Sequence, residues 1–332
     1  MNKKEALSAF YAKNKIDIRT ASNPQDGNYD KRIAELDSQV NIWLQGIAPE
    51  DQEAFLTLLS RYTYLTETQC QLRYEKILSL LNEQLSSLNC QLHEVLFVTV
   101  ESGGNHKSGS DNVRADFHKR NLREIQKTQI ITAQSRLKNN AITQYKAIVF
   151  IDDIVGSGKT LWHEIKTFCK RFPQIYNGNR THKLFYACIV PRKHGIKHIR
   201  DNCRKYHIAA TEVFDKDWYE EPAIKKDSPL YQNVEKYEKI VGEYLYSQDG
   251  KSFFMGFEKN RLLVSFHYNT PNNTLSTFWR LIPEQHTPLF YRDGDQPGAR
   301  PTIKEMRQKK RSLSGLAYIF GKQRQRKYRH GR

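Results

Sequence analysis

Two adjacent carboxylates, Asp152 and Asp153, lie between an apolar run and a glycine-rich turn. The run, 148–151, is apolar at every position, which predicts a parallel strand that is buried on both faces. The turn consists of Gly156, Ser157, Gly158, Lys159 and Thr160 and leads into a segment with helical character. Backbone N–H groups and the positive end of a helix dipole favour a phosphate at such a turn. We therefore predict a site for a phosphorylated ribose, whose vicinal hydroxyls donate hydrogen bonds to the two carboxylates.

The end of the turn, Gly158-Lys159-Thr160, also suggests the P-loop of a nucleoside-triphosphate hydrolase. That motif, G-x-x-x-x-G-K-[ST], requires a glycine at position 153. The residue there is Asp153, and its carboxylate would repel the phosphates that a P-loop binds. The sequence excludes this alternative.

The order of residues over 149–160, with an apolar strand, two acids, two apolar residues and a small-residue turn ending in threonine, resembles the motif of type I phosphoribosyltransferases. In that family the acidic pair holds the ribose hydroxyls of phosphoribosyl pyrophosphate (PRPP) and the turn binds its 5′-phosphate. The resemblance thus implies catalytic roles for Asp152 and Asp153 and a ligand-binding role for the turn. It also implies Mg²⁺ bridged by the substrate, without a dedicated set of protein ligands.

A second polar loop follows the apolar run 95–100, which predicts another buried strand. Ligands of open α/β sheets bind beside such loops, and glycines let a backbone approach a ligand closely. By its position this loop resembles the pyrophosphate-binding loop of the family, although a solvated surface turn would have a similar composition. Its candidate binding residues are Ser102, Gly103, Gly104, Lys107, Ser108 and Gly109.

The elements around these loops alternate between strand and helix. Strands are predicted at 183–190, 211–214 and 261–267, with helices between 192 and 204 and at 231–246. This alternation favours an α/β fold with a Rossmann-like parallel sheet of the type I phosphoribosyltransferase kind. We expect an N-terminal helical region at 1–90, the α/β domain at 91–290 and a basic C-terminal tail at 291–332.

The apolar stripes of the N-terminal region fit either packing against the core or an interface with a partner. One stripe carries Ile33, Leu36, Val40 and Trp43 at helical spacing, and another runs along 66–88. The basic segment 112–140 has two interpretations as well. By resemblance it contains a loop that closes over the reaction, but its charge equally fits a solvated helix face.

Three asparagines and two threonines in 268–275 follow the last predicted strand. Their side chains could bind the edge of a nucleobase or build an Asx-turn. Together with the motif and the segment 107–121, the segment 266–279 is similar to phosphoribosyltransferase-like proteins of bacterial conflict and anti-phage systems, including retron-associated effectors. That resemblance covers about 95–280. It implies a nucleoprotein partner, such as a reverse transcriptase with its RNA–DNA product.

The positive charge is concentrated in the tail. The 332-residue chain has a net charge of +17, and 301–332 holds eleven Lys and Arg residues against one acid. Interleaved tyrosines and phenylalanine suit nucleic acid, because cations neutralise phosphates and aromatic rings stack on bases. A disordered solubilising tail is the alternative.

Other features of the composition bear on location and on metal or disulfide chemistry. No apolar run has the length of a membrane span and no leader is evident, so we expect a cytoplasmic protein. Five scattered cysteines without a CxxC pair predict packed free thiols rather than a zinc site or disulfides.

Two functions remain open at this stage. The first is a phosphoribosyltransferase-like enzyme, toxic in a defence setting, that acts on nucleotides or on a ribosyl acceptor. The second is a catalytically inactive module of the same fold that binds a ligand and regulates or recruits nucleic acid or a partner. An intact acidic pair and turn fit both.

Overall fold

The computed structural model describes residues 1–100, 117, 125, 129–132, 142–175, 182–243 and 252–292. Its α-helices are α1 (Lys3–Lys13), α2 (Ile18–Ala21), α3 (Lys31–Ala34), α4 (Leu36–Gln45), α5 (Pro49–Ser60), α6 (Glu67–Ser86), α7 (Lys159–Arg171), α8 (Lys193–Lys205) and α9 (Pro229–Glu243). The strands are β1 (Thr63–Leu65), β2 (Val95–Thr99), β3 (Ile130–Thr132), β4 (Ala147–Val155), β5 (Lys183–Pro191), β6 (Ala210–Val213) and β7 (Val264–Phe266). Short 3₁₀ helices lie at Leu92–Glu94, Pro173–Ile175, Lys216–Trp218, Phe257–Lys259 and Ser276–Phe278.

Five strands form a parallel sheet in the order β3-β2-β4-β5-β6. The central strand β4 aligns its first residue, Ala147, with Val95 of β2 and Lys183 of β5. Apolar residues occupy consecutive positions in β2, β4 and β5 because helices cover both faces of the sheet. The arrangement confirms the predicted α/β class with a Rossmann-like parallel sheet.

The two faces of the sheet have separate cores. On one face, Val149 and Ile151 of β4 pack in a cluster that includes Tyr74 and Ile77 of α6. On the other face, Phe150 packs among side chains of α7 and α8. These side chains are almost fully buried, and each contributes about 1.5–3 kcal/mol of hydrophobic stabilisation.

The N-terminal helices share a third core with the C-terminal part of the described chain. Trp43 of α4 lies against Phe278, with ring centroids 4.9 Å apart, and its indole N–H donates to the carbonyl of Thr277 at 3.0 Å. Ile33, Leu36 and Val40 are buried in the same cluster. Packing against the core is therefore confirmed for this stripe.

The predicted last strand is shorter than expected and lies outside the main sheet. Only Val264–Phe266 is a strand, and it pairs in parallel with β1 in a separate two-stranded sheet. Its partner lies about two hundred residues earlier in the chain, so a local apolar pattern could not indicate this pairing. The small sheet joins the N-terminal helices to the segment after β7.

A buried carboxylate fixes two loops of this third core. Glu238 of α9 is 0% exposed and accepts hydrogen bonds from the backbone N–H groups of Met255, Ser276 and Thr277 at 2.9–3.1 Å. The hydroxyls of Ser276 and Thr277 donate to it at 2.7 and 2.8 Å. Burial raises the pKa of Glu238, and the hydrogen bonds from Ser276 and Thr277 oppose that rise. The five bonds hold the loops on either side of β7.

Two further sequence expectations can be compared with the structure. All five cysteines are free and buried, which agrees with packed thiols. Within the described ranges, no helix combines the length and hydropathy needed to cross a membrane. The domain boundaries at 90/91 and 290/291 stay predictions, and the segments 293–332, 118–124 and 133–141 lie outside the described residues.

Candidate functional site

The acidic pair lies inside strand β4 rather than after it. The strand continues to Val155 because β5 is equally long, and Asp152 aligns with Cys188 of that strand. Successive side chains of a strand point to opposite faces. Asp153 is 7% exposed and accepts a hydrogen bond from the Tyr268 hydroxyl at 3.3 Å, whereas Asp152 is half-buried on the side of α7. The two side chains therefore leave the end of strand β4 on opposite faces of the sheet.

The backbone links the two acids despite this divergence. The N–H of Asp153 donates to Oδ1 of Asp152 at 2.9 Å. Burial raises the pKa of Asp152 well above its usual range, and the negative charge of Asp153 raises it further. Burial also raises the pKa of Asp153. Hydrogen bonds from Asp152, the Ile154 backbone and Tyr268 oppose this rise. Hydroxyl donors or a cation from a ligand would relieve this unfavourable accumulation of negative charge.

The turn after β4 is held by close backbone packing. Gly158 has a φ of 76°, a left-handed conformation that suits glycine, and it forms the N-cap of α7. A Cβ at Gly158 would lie 2.3 Å from the carbonyl oxygen of Gly195 in α8. A Cβ at Gly156 would lie 2.3 Å from Nδ2 of Asn273. The turn is therefore enclosed between the first turn of α8 and the segment after β7.

The N-terminus of α7 faces outward from this turn. No side chain caps the helix, so its first N–H groups are available to a ligand, except that Lys159 donates weakly to Ser157 Oγ at 3.4 Å. Lys159 and Thr160 are exposed, while Gly156, Ser157 and Gly158 are buried. An uncapped helix end with glycines behind it can bind a phosphate through backbone N–H groups and the helix dipole.

A loop with unusual backbone conformation borders the turn. Met255, Glu258, Lys259 and Arg261 all have φ between 53° and 59°, which is costly for residues with a side chain. Glu258 forms an ion pair with Lys159 at 2.9 Å. This pair joins the strained loop to the candidate phosphate turn. Sequence reasoning missed the loop, because none of its residues suggests such a conformation.

The polar segment after β7 has mainly structural hydrogen bonds. Thr274 both accepts from the N–H of Val264 and donates to its carbonyl oxygen, and the N–H of Thr270 donates to the Asn269 side chain at 2.8 Å. The N–H of Thr270 lies only one residue after Asn269, whereas an Asx-turn uses the N–H two residues on, so both interpretations of this segment stay predictions. The exception among these polar residues is Tyr268, whose ring stacks on Phe266 with centroids 5.3 Å apart and whose hydroxyl reaches Asp153. A lone tyrosine after a strand gave no signal that could have found this contact.

The second predicted loop can be located only by its start. Ser102, Gly103, Gly104, Lys107, Ser108 and Gly109 all lie outside the described residues. The loop follows β2, the strand next to β4, and the N–H of Val100 donates to the carbonyl of Ile151 at 3.1 Å. The chain therefore enters this loop directly beside Asp152.

A magnesium ion would fit here only with help from its ligand. Among the described residues, no group of three or more His, Cys, Asp or Glu side chains is arranged to hold a metal. Asp152 and Asp153 supply a buried pair of carboxyls whose raised pKa values favour an added cation. Magnesium commonly takes one or two carboxylates and completes its shell with waters and substrate phosphates. The residues present fit that mode of binding.

Comparison with known proteins gives the family of the chain. The model of the PRTase-CE family matches residues 40–292. The chain belongs to the PRTase-CE family. The PRTase-CE match includes the acidic pair, the turn and the segment after β7, and the chain is accordingly a phosphoribosyltransferase-like protein.

Two further comparisons were made for this PRTase-CE chain. Among curated proteins, nothing matches it. Among solved structures, a similar chain is the AQ2163 protein from Aquifex aeolicus, at 12% sequence identity and a TM-score of 0.28. The alignment covers 55% of this chain and 87% of that chain.

Proposed function

We propose that the protein binds PRPP or a related ribose phosphate and transfers the phosphoribosyl group at C1. The enclosure of the turn 156–158 by Gly195 and Asn273, beside the acidic pair, carries this proposal. A phosphate site and a diol site would then lie a few residues apart on one strand–turn–helix unit. The exposed N-terminus of α7 would receive the 5′-phosphate, and Asp152 and Asp153 would accept hydrogen bonds from the ribose hydroxyls.

The reaction would need little covalent chemistry from the protein. The bond from C1 to pyrophosphate breaks, a bond from C1 to the acceptor forms, and the acceptor loses a proton. Positive charge develops on the ribose in between, and the carboxylates of Asp152 and Asp153 would stabilise it electrostatically. The loop that starts beside Ile151 would accommodate the pyrophosphate. Bound Mg²⁺ would supply positive charge to the departing oxygens.

Incubation with PRPP, Mg²⁺ and a mixture of bases and nucleotides tests the enzyme. Pyrophosphate release should be lost in Asp152→Asn and Asp153→Asn. The exposed Asp217→Asn, which lies outside the site, is the matched control and should retain activity. Ligand binding without turnover, even after the cognate partner is added, would eliminate the enzyme and leave a binding module.

In its setting, we propose a defence effector of the anti-phage, retron-associated kind, held by a nucleic-acid-containing partner. The resemblance of the motif and its flanking segments supports this role, as does the basic tail. Toxicity would arise from modified nucleotides or ribosyl acceptors. Expression of the wild-type chain and of Asp152→Asn in a bacterial host, with and without the partner, tests it. Equal growth of both strains in every combination would contradict the effector role.

A second candidate function, a nucleic-acid-bound module, is favoured by the surface of α7 and α8. A groove of about 340 Å³ on α8 is lined by four cations and Tyr219. Three of these cations, Lys193, Lys197 and Arg200, pair with acids. In the part of the chain that the structure describes, Arg204 and Lys205 have no ion pair. Both residues lie next to Tyr206, which is 40% exposed. The ring of Tyr206 packs on that of Trp162 in α7, with centroids 5.3 Å apart. Cations beside an exposed aromatic ring suit single-stranded nucleic acid.

Salt-dependent binding separates the contributions of this surface and of the tail. Arg204→Glu and deletion of 301–332 should each weaken binding of single-stranded RNA or DNA and lower the slope of log K against log salt by roughly 0.7 per lost phosphate contact. Arg19→Glu, on α2, is the charge-matched control. If deletion of 301–332 leaves the affinity and the salt slope unchanged, the tail does not bind nucleic acid. If Arg204→Glu leaves both unchanged, the surface of α7 and α8 does not bind it.

A further inference from the structure

Two arginine side chains near the turn have buried nitrogen atoms without hydrogen-bond partners. Arg192 follows β5 directly, is 9% exposed, and uses one terminal nitrogen to donate to the side-chain oxygen of Asn260. Its Nε is buried and unbonded, as is the Nε of Arg261, in the structure of the described residues. A buried donor without an acceptor costs about 1–3 kcal/mol, so native proteins rarely keep one without a reason.

The two arginines are linked through Asn260, which accepts a hydrogen bond from Arg192 and directly precedes Arg261. Burial lowers the pKa of Arg192, and the charge of Arg261 lowers it further. The nearby acid, Glu221, pairs with Lys193 at 2.8 Å instead of forming an ion pair with either arginine. Among the described residues neither arginine forms an ion pair, so an added anion would offset the repulsion between them.

The backbone holds this arrangement against strain. Arg261 has a φ of 54°, and Glu258 and Lys259 nearby have φ of 55° and 53°. The N–H of Arg261 donates to the carbonyl of Met255 at 2.9 Å, and its own carbonyl accepts from Ala223 at 2.8 Å. Strained residues that several hydrogen bonds fix in place are typical of ligand-binding sites.

The partner residue of Arg192 is equally constrained. Asn260 is 0% exposed, and its amide group donates to the carbonyl of Phe257 at 2.6 Å, so its side-chain oxygen is directed at Arg192. The N–H of Arg192 donates to the carbonyl of Val155 at 3.1 Å. These contacts place one arginine at the end of the main sheet and the other on the strained loop. The pair thus bridges the sheet and the third core.

We propose that Arg192 and Arg261 form a second anion site, which takes the phosphoryl group of a small phosphate-bearing ligand. A tetrahedral oxyanion offers several oxygens to two guanidinium groups at once, and arginine suits phosphate for this reason. Arg192 is also the N-cap of the 13-residue α8, which has no side-chain cap, so the helix dipole adds to the attraction. The site lies on α8 and the strained loop, and its side chains differ from those of the neighbouring turn in the proposed PRPP site.

Occupancy of this site would steady the loop that carries Glu258. Glu258 forms an ion pair with Lys159 of the turn 156–160. An anion bound between the arginines would therefore influence the position of that turn through the segment 258–261. The binding step itself does not depend on whether the protein transfers phosphoribosyl groups.

Titration calorimetry of the full chain with inorganic phosphate at constant ionic strength tests the proposal, with acetate as the planar anion for comparison. Arg261→Gln and Arg192→Gln should each weaken phosphate binding by about tenfold or more, the usual effect of losing a charged hydrogen bond. Arg261→Lys should bind with intermediate affinity, and Arg19→Gln should bind like the wild type. Lys159→Gln should retain this binding, which separates it from the phosphate turn.

Two results would overturn the proposal. One is phosphate affinity in folded Arg261→Gln within about twofold of the wild type, and the other is equal affinity for acetate and phosphate. A comparison of inorganic phosphate with ribose 5-phosphate then shows whether the site takes the free ion or an ester.

Chemical protection keeps the test independent of variants that fail to fold. In the wild-type chain, phosphate should protect Arg261, the less buried arginine of the pair, from phenylglyoxal, mapped by mass spectrometry, while leaving Arg19 reactive. Absence of protection at Arg261, or equal protection of Arg19, contradicts the site.

Discussion

Replacement of Gly195 by alanine is a sensitive test of the packing that encloses the phosphate turn. Gly195 lies within helix α8, where helix propensity alone predicts that alanine would stabilise the protein by roughly 0.5–1 kcal/mol. The structure predicts the opposite sign. A Cβ at this position would lie 2.3 Å from the carbonyl oxygen of Gly156 and 2.9 Å from that of Val155, against 3.4–4 Å for an ordinary contact.

The magnitude follows from how little the neighbours can move. The contacting atoms belong to the backbone of β4 and its turn, so helix and turn must separate by about 1 Å, and overpacking of this kind costs about 1–3 kcal/mol. The helix-propensity gain of about 0.5–1 kcal/mol offsets part of this cost, so we expect a net loss of up to about 2.5 kcal/mol in the free energy of unfolding. Displacement of the turn by about 1 Å should also weaken ribose 5-phosphate binding by at least about tenfold.

Urea denaturation and calorimetry with ribose 5-phosphate measure the two effects. His194→Ala, the exposed neighbour on the same helix, is the control and should change stability by less than about 0.5 kcal/mol. If Gly195→Ala is at least as stable as the wild type and binds the ligand normally, the close contact between α8 and the turn is wrong. A loss of stability with normal ligand binding would confirm the close packing of α8 on the turn, but it would show that the turn does not bind the ligand.

Three other predictions concern buried polar groups. The pKa of Asp152 is higher in the folded than in the unfolded protein, because its charged form is costly in the fold. The neutral acid therefore adds to the free energy of unfolding at a pH below its unfolded pKa, and this contribution is lost as the pH rises through the folded pKa. Asp152→Asn should therefore be more stable than the wild type in urea at pH 7, with the difference vanishing near pH 3, while ribose 5-phosphate binding falls. A stability difference that does not depend on pH would contradict this. Tyr268→Phe removes the hydroxyl that reaches Asp153 and should cost about 1 kcal/mol of unfolding free energy. It should also raise the apparent pKa of Asp153, followed by NMR titration, and an unchanged pKa would refute the contact. Glu238→Ala leaves five donors without an acceptor and should cost about 3 kcal/mol or more. A loss below about 1 kcal/mol in urea would show that these bonds do not hold the third core.

Much of the sheet could be predicted because its signals are local. The apolar runs that became β2, β4 and β5 need side chains compatible with burial on both faces, and this requirement is visible in a few consecutive residues. The helix α6 was expected at 66–88 and extends from Glu67 to Ser86. The apolar stripe predicted along this helix runs from Leu72 to Leu88, and it is wrong at both of these leucines, which are 57% and 38% exposed. Which side of a helix faces the core depends on where the sheet lies.

Contacts between distant segments could not be predicted in the same way. The pairing of β7 with β1 and the hydrogen bond from Arg192 to Asn260 join segments that only the folded chain brings together. A single sequence carries no measure of which apolar or charged residues will be neighbours.

For the acidic pair and its turn, the sequence by itself determined which groups are available and where the strand, turn and helix follow one another. Adjacent carboxylates, glycines and a helix start are the basis for predicting a ribose-phosphate type of site, because each is a local requirement of residue type and backbone conformation. The tertiary structure alone decided what surrounds it. Gly195 and Asn273 close the turn, Tyr268 reaches Asp153, and a strained loop adds Glu258 beside Lys159. These contacts arise from the packing of the third core against the end of the sheet, and packing is a property of the whole fold.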